Sequence, residues 1–416
     1  MHTEVVDKAE QARAAATYLA TASTEAKNKA LRLIAGALKK RSGDIIAANA
    51  RDLEQFKTSP GFSKALEDRL MLDEERIAGA AEGLLEIAAL EDPIGEVTGA
   101  TLRPSGLQVG RVRTPMGVIG IIYESRPNVT VDAAGLTLKS GNAVILRGGS
   151  EALQSNICLV KIIQEQLREA GLPETAVQLI EDTDRAAART LMRLDEKVDL
   201  LIPRGGPSLI KAVVENATVP VIETGAGNCH LYIDEGADKE MAVEIAFNAK
   251  VQRPGVCNAI ETLLVHEAVK EKVLPAVFSK LHRAGVELRG CPCVIDYHEA
   301  VKKAVKEDWG NEYLDLILAV RAVSSIDEAI EHIGRYGTGH SEAIVTADYR
   351  RARLFLSRVD AAAVYVNAST RFTDGNEFGL GAEMGISTQK LHVRGPMGLK
   401  ALTSLKYIVQ GSGQVR

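Results

Sequence analysis

"GVIGIIYESRPNVTVDAAGLTLKSGNAVILRGG", residues 117–149, decides the fold. It opens on an unbroken aliphatic run, Val118 to Ile122, with no polar alternation. Such a run, bounded by glycine, reads as a strand buried on both faces, as in parallel sheets. "TVDAAGLTLKSG" (130–141) then reads as a helix closed by Gly141, and "NAVILRGG" (142–149) as a second buried strand. Strand, helix and strand in this order make a βαβ unit. The alternation continues downstream: helix 151–171, strand 176–181, helix 184–194, strand 198–206, helix 207–216, and the strand "VPVIETG" (219–225). The expected architecture is α/β with a doubly wound parallel sheet, which holds its ligand at the carboxyl ends of the strands.

Upstream, residues 4–90 read as helices. Leu31, Ile34 and Leu38 recur at helical spacing, and Gly43 stands where a glycine would end that helix. Ser59-Pro60-Gly61 marks a turn. "TLRPSGLQVGRVRTPMG" (101–117) alternates strand patches with turn residues, a β excursion before the sheet. A second α/β segment runs from about 226 to about 397.

The chain has 416 residues, 46% hydrophobic and 25% charged, enough for two or three domains with sizeable cores. With 50 basic and 55 acidic residues, the net charge of −5 gives no support to nucleic acid or an anionic membrane as partner. No apolar run approaches the roughly 20 residues that span a bilayer. The five cysteines, Cys158, Cys229, Cys257, Cys291 and Cys293, are too sparse for a disulfide framework, and Cys291-Pro-Cys293 is too tight for a zinc site. A reduced, cytoplasmic protein without a structural metal is expected.

Two places carry candidate chemistry. The G-x-G-x-x-G fingerprint is missing after the first strand, so a pyrophosphate would need another cradle. "RGGPS" (204–208) supplies glycines, Gly205 and Gly206, then a helix start at Pro207-Ser208, where an anion is favoured. At the next strand end, Arg147 with Ser150 suits a ribose 2′-phosphate; a solvated charge is the other reading. Cys257 lies where a loop turns into the strand-like run Ile260–Val265, with Lys250 and Arg253 upstream. A thiol among positive charges is a candidate nucleophile, and a buried small hydrophobe is the alternative.

Taken together, these segments resemble the aldehyde dehydrogenase superfamily. "TPMGVIGIIYESRPNVT" with "KSGNAVILRGGSEA" resembles its first βαβ unit, "VIETGAG" its glutamate segment, "GVCNA" its cysteine loop and "EFGLGAEMG" its closing segment. More narrowly, the whole chain resembles the γ-glutamyl phosphate reductase (glutamate-5-semialdehyde dehydrogenase) family of proline biosynthesis. "VSSIDEAIEHIGRYGTGHSEAI" (323–344) is its most specific stretch. The resemblance implies a cofactor-binding domain over 1–99 and 114–225, a catalytic domain over 226–397, and a small β element, 100–113 with 398–416, that joins subunits of a homo-oligomer. It implies Cys257 as nucleophile, Asn128 and the Cys257 N–H as oxyanion donors, and NADPH as cofactor. Arg147, Ser150, Gly205, Gly206, Ser208 and Glu312 (or, if the alignment slips, Asp315) are its implied cofactor contacts. Lys250, Arg253 and Arg126 are candidates for holding the thiolate and a phosphate. His340 and Glu342 are placed in the substrate pocket or as loop-fixing residues, and Arg371 against an α-carboxylate. Glu223 matches the water-activating base of hydrolytic relatives, a role that a reductase must suppress.

The implied reaction turns γ-glutamyl phosphate and NADPH into glutamate 5-semialdehyde, phosphate and NADP⁺ through a cysteine thioester. A transient contact with a glutamate 5-kinase is left open. Two other functions compete: hydrolytic, NAD-dependent aldehyde oxidation, and a nucleotide-binding regulatory module without activity. Residues 323–344 argue against the first; Cys257, Asn128 and Arg147 together argue against the second.

Overall fold

The computed structural model describes residues 2–59 and 62–416, so Pro60 and Gly61 of the expected turn lie outside the described residues. The chain forms two compact units. One comprises Met1–Thr224, Gly379–Gly385 and Met397–Arg416; the other comprises Gly225–Phe378 and Ile386–Pro396.

The first unit starts with the helices Thr3–Leu19, Thr24–Lys40, Ser42–Lys57, Lys64–Leu70 and Glu74–Ala89. Ser23, Ser63 and Asp73 cap three of them by accepting from the backbone N–H three residues on. Gly43 ends no helix: the break falls at Arg41, and Gly43 lies in the first turn of the next helix. The sheet has four parallel strands, in the order Val177–Leu179, Ala143–Arg147, Val118–Tyr123, Leu200–Arg204. Every residue of Val118–Tyr123 is buried, which explains its aliphatic run. Strand order reverses on either side of it, so the loops after Tyr123 and Arg204 flank a switch point. The expected strand 219–225 shrinks to one bridge, Leu201 to Val221. Pro220 lacks the N–H that a longer ladder needs; its carbonyl accepts from Leu201 instead.

A separate antiparallel sheet joins Val97–Leu102, Gln108–Pro115 and Thr403–Gln410. Both pieces expected to form a subunit-joining element thus pair with each other, and they pack as part of the first unit. Segment Gly379–Gly385, expected in the catalytic domain, also belongs there.

The second unit is a seven-stranded parallel sheet in the order Val301–Lys303, Glu287–Gly290, Ile317–Val323, Ile260–His266, Cys229–Ile233, Ser341–Val345, Ala363–Val366. Successive residues point to opposite faces. Leu231 and Ile233 join a core with Val273, Phe278 and Leu281, whereas Tyr232 joins another with Ile333 and Phe355. Cys257 sits in the loop between the helix Lys239–Val251 and the strand Ile260–His266.

Candidate active site

In the first unit, the strand Ala143–Arg147 delivers Arg147 to its carboxyl end. The guanidinium donates to Gly148 O (3.0 Å) and Thr183 O (2.7 Å). Its Nε is buried with no partner among the described residues, and burial holds its pKa down. Ser150, exposed, opens the next helical turn. Glu151 ties this loop to the one after Tyr123 by accepting from the Ser125 N–H and Oγ, both at 2.7 Å.

At the other strand end, Gly206 caps the helix Pro207–Asn216, with Pro207 at its first position and Ser208 exposed behind it. The Glu124 carboxylate accepts from the Gly206 N–H at 2.9 Å. A side chain on Gly205 would meet that carboxylate at 2.6 Å. The helix start gathers an anion, as its dipole and unpaired N–H groups favour, and a dinucleotide phosphate would take the place that Glu124 holds there.

Asn128 is exposed at the start of the helix Asn128–Lys139. Arg126 and Glu223 are exposed and engaged within the protein. Sequence reading passed over Asp132, one turn beyond Asn128. Burial pushes its pKa up to about 6, against the pull of Arg204. The four-residue spacing from Asn128 was the available signal.

In the second unit, Cys257 is half-buried. The buried Cys229 thiol donates to its carbonyl at 3.1 Å. Asn258 is clasped by the turn Thr370–Phe372 and its flank. Its amide donates to Thr373 O (2.9 Å) and Arg371 O (3.4 Å), its carbonyl accepts from Thr370 Oγ1 (2.6 Å), and its Oδ1 accepts from Arg371. A buried chain runs on from Thr373 Oγ1 to Ser341 Oγ (2.7 Å), to His340 Nδ1 (2.8 Å) and to Cys229 Sγ (3.7 Å). It closes a ring of hydrogen-bonding groups behind the Cys257–Asn258 peptide. None of Cys229, Asn258, Thr370 or Thr373 was singled out from sequence; the Asn that follows Cys257 was the one local hint.

Glu312 accepts from the Gly227 N–H at 2.6 Å, and burial raises its pKa. Gly227 lies against Cys257, because a Cβ there would fall 1.5 Å from the Cys257 carbonyl oxygen. Asp315 is exposed and caps the Leu316 N–H.

The expected role of Lys250 needs correction, and burial weighs between the two roles expected of His340 and Glu342. Lys250 is wholly buried, paired with Glu261 at 2.5 Å, so its charge is spent inside the protein and does not reach a phosphate. Burial pushes Glu261 up to about 7 and Lys250 down. His340 and Glu342 are also wholly buried, which fits the loop-fixing role expected of them rather than the substrate-pocket one. His340 belongs to the ring behind Cys257, and Glu342 accepts from both the N–H and the imidazole of His230. Arg253, by contrast, is exposed, and its charge is felt by Arg371.

The doubly wound sheet and the clasped cysteine loop define an aldehyde-dehydrogenase-like protein, and the chain belongs to the aldehyde dehydrogenase family, whose model matches residues 2–288 and 309–408. Its relatives are narrower still. It is 61% identical to the gamma-glutamyl phosphate reductase of Moorella thermoacetica over 99% of both chains. With that of Heliobacterium modesticaldum the identity is 59% over 100% of each. The crystal structure of gamma-glutamyl phosphate reductase from Thermotoga maritima superposes with a TM-score of 0.97 at 51% identity, covering 99% of this chain and 100% of that one. Within the superfamily, the chain belongs with the γ-glutamyl phosphate reductases.

Proposed function

We propose that this protein reduces L-γ-glutamyl 5-phosphate to L-glutamate 5-semialdehyde with NADPH, releasing phosphate, in proline biosynthesis. The observation that carries the reading is the end-to-end identity with relatives of that name, with a cysteine in the clasped loop. The Cys257 thiolate attacks the acyl carbon, and the acyl–phosphate bond breaks to leave a thioester. Asn128 and the Cys257 N–H are the proposed donors to the oxyanion. Arg253 and Arg126 are proposed for the departing phosphate. Arg147 and Ser150 would hold the adenosine ribose, Gly205, Gly206 and Ser208 the pyrophosphate, and Glu312 the nicotinamide ribose once it releases Gly227. The nicotinamide, when bound, would supply the hydride that reduces the thioester. Cys257 then leaves as thiolate when the thiohemiacetal collapses to the aldehyde.

The test runs the reaction backwards. Glutamate 5-semialdehyde and NADP⁺ should sustain NADPH formation beyond the first turnover only when inorganic phosphate is present to release the thioester, and arsenate should replace phosphate. Propanal should be a poor substrate, because groups set for a charged ligand are left unpaired. Equal rates without phosphate would mean hydrolytic aldehyde oxidation instead.

A further inference from the structure

The arginine expected to grip the substrate is built into the nucleophile's own loop. Arg371 Nε donates to Gln252 Oε1 at 2.9 Å, and Nη1 donates to Asn258 Oδ1. Gln252 closes the helix before the loop, and Asn258 directly follows Cys257. One guanidinium therefore spans the loop from end to end. A rigid planar fork suits such a two-ended bridge better than a lysine does. Asn258 in turn is fixed by Thr370 and Thr373, so the bridge is anchored to the sheet side of the loop.

We propose that Arg371 is a positioning residue that braces the loop 252–258 and sets a cation beside the Cys257 thiol, rather than a ligand of the substrate's α-carboxylate. The inference rests on Cys257 being the nucleophile of the reaction proposed above. Burial and the charge of Arg253 lower the Arg371 pKa, while the charge of Cys257 raises it. That coupling is mutual, so a cation at 371 favours the thiolate. Other titratable groups surround the loop. Arg253 stands on the loop itself, Asp374 follows the clasping turn, and Cys229 lies on the adjoining strand. Glu342, His340 and the Lys250–Glu261 pair lie in the strands and helix behind it, and Glu312 holds Gly227. Burial keeps His340 neutral, with a pKa of about 4, and Lys250 offsets Glu261. Arg371, hydrogen-bonded to the residue after the thiol, and Arg253, on the loop itself, are cations placed to act on it.

The full-length protein, Arg371→Gln and Gln252→Ala would be alkylated with iodoacetamide across about pH 5 to 10, and the Cys257 peptide quantified by mass spectrometry. Arg371→Gln should raise the alkylation midpoint by about one pH unit. It should lower kcat at neutral pH by about tenfold or more while the KM for the semialdehyde changes less than about threefold, and higher pH should restore part of the rate. Gln252→Ala, at an exposed position, removes one end of the brace and should shift the midpoint the same way by less. Midpoints unchanged in both variants would overturn the proposal. An unchanged midpoint with a KM raised by about tenfold or more would assign Arg371 to the α-carboxylate. Alkylation needs no turnover, so a wild-type protein lacking phosphate-dependent activity would fail the functional reading while the midpoint comparison still judged Arg371.

Discussion

Gly227→Ala should disable the protein without touching any reacting group. A Cβ at 227 would lie 1.5 Å from the Cys257 carbonyl oxygen, 2.3 Å from its carbon and 2.6 Å from its Cα. Ordinary contact begins near 3.4 Å, so the two backbones must part by about 2 Å. Neither side yields easily. Glu312 grips the Gly227 N–H at 2.6 Å, and the clasp on Asn258 and the Cys229 thiol hold the Cys257 peptide. The backbone of Gly227 is not left-handed, so conformational strain is not the cause. Overpacking costs about 1–3 kcal/mol, and losing a hydrogen bond to a carboxylate costs about as much again. An unfolding free energy lower by about 2–6 kcal/mol is therefore expected. A nucleophile displaced by about 1 Å loses on the order of 100-fold in rate, and this shift is larger. The assay is the phosphate-dependent formation of NADPH, with urea unfolding alongside. Gly79→Ala, in the helix Glu74–Ala89 with open space around its Cβ, is the control and should be neutral or slightly stabilising. Near-wild-type kcat and stability in Gly227→Ala would refute the reasoning.

Four further outcomes are expected. Cys257→Ala should fold but lose turnover by several orders of magnitude, while Cys158→Ala keeps it; steady-state rates decide. Arg147→Ala should weaken NADPH binding by about 1.5–3 kcal/mol and leave NADH almost unchanged, measured by fluorescence titration; equal losses would show that Arg147 does not read the phosphate. His332 is buried, and burial, with His230 and Arg321, pushes its pKa from 6.5 to about 3. The unfolded chain thus binds the extra proton below about 6.5, so stability is complete above that pH and falls as pH drops toward 3; His332→Phe should remove about 2–4 kcal/mol of that acid loss in urea midpoints taken against pH. In the outer three-stranded sheet, Leu102, Tyr407 and Val409 are 76%, 69% and 56% exposed. If this sheet joins subunits, Tyr407→Arg with Val409→Arg should reduce the mass seen by light scattering, and an unchanged mass counts against it.

The parallel strands were legible because a strand buried on both faces must be aliphatic throughout, as Val118–Tyr123 is. "VPVIETG" copied that texture, yet Pro220 leaves it one bridge; composition reports burial more faithfully than pairing. Gly43 misled because a glycine tolerated in a helix's first turn looks the same in sequence as one that ends a helix. The placement of Cys257 in a loop before a strand was legible from the aliphatic run that follows it. Lys250 was not, since its partner Glu261 lies on the following strand and a lysine in sequence reads as solvated. The Asn258 clasp was invisible for the same reason. Thr370, Arg371 and Thr373 reach it from more than 100 residues away, a pairing that only the folded sheet creates.

The central claim is a thioester on Cys257 that waits for phosphate. The most direct measurement mixes enzyme with glutamate 5-semialdehyde and NADP⁺ in phosphate-free buffer, quenches with acid within the first turnover, and maps the protein by mass spectrometry. The account predicts a burst of about one NADPH per subunit and a glutamyl adduct on the Cys257 peptide, released when phosphate is added. Continued NADPH formation without phosphate, or a burst with no adduct on Cys257, would contradict it.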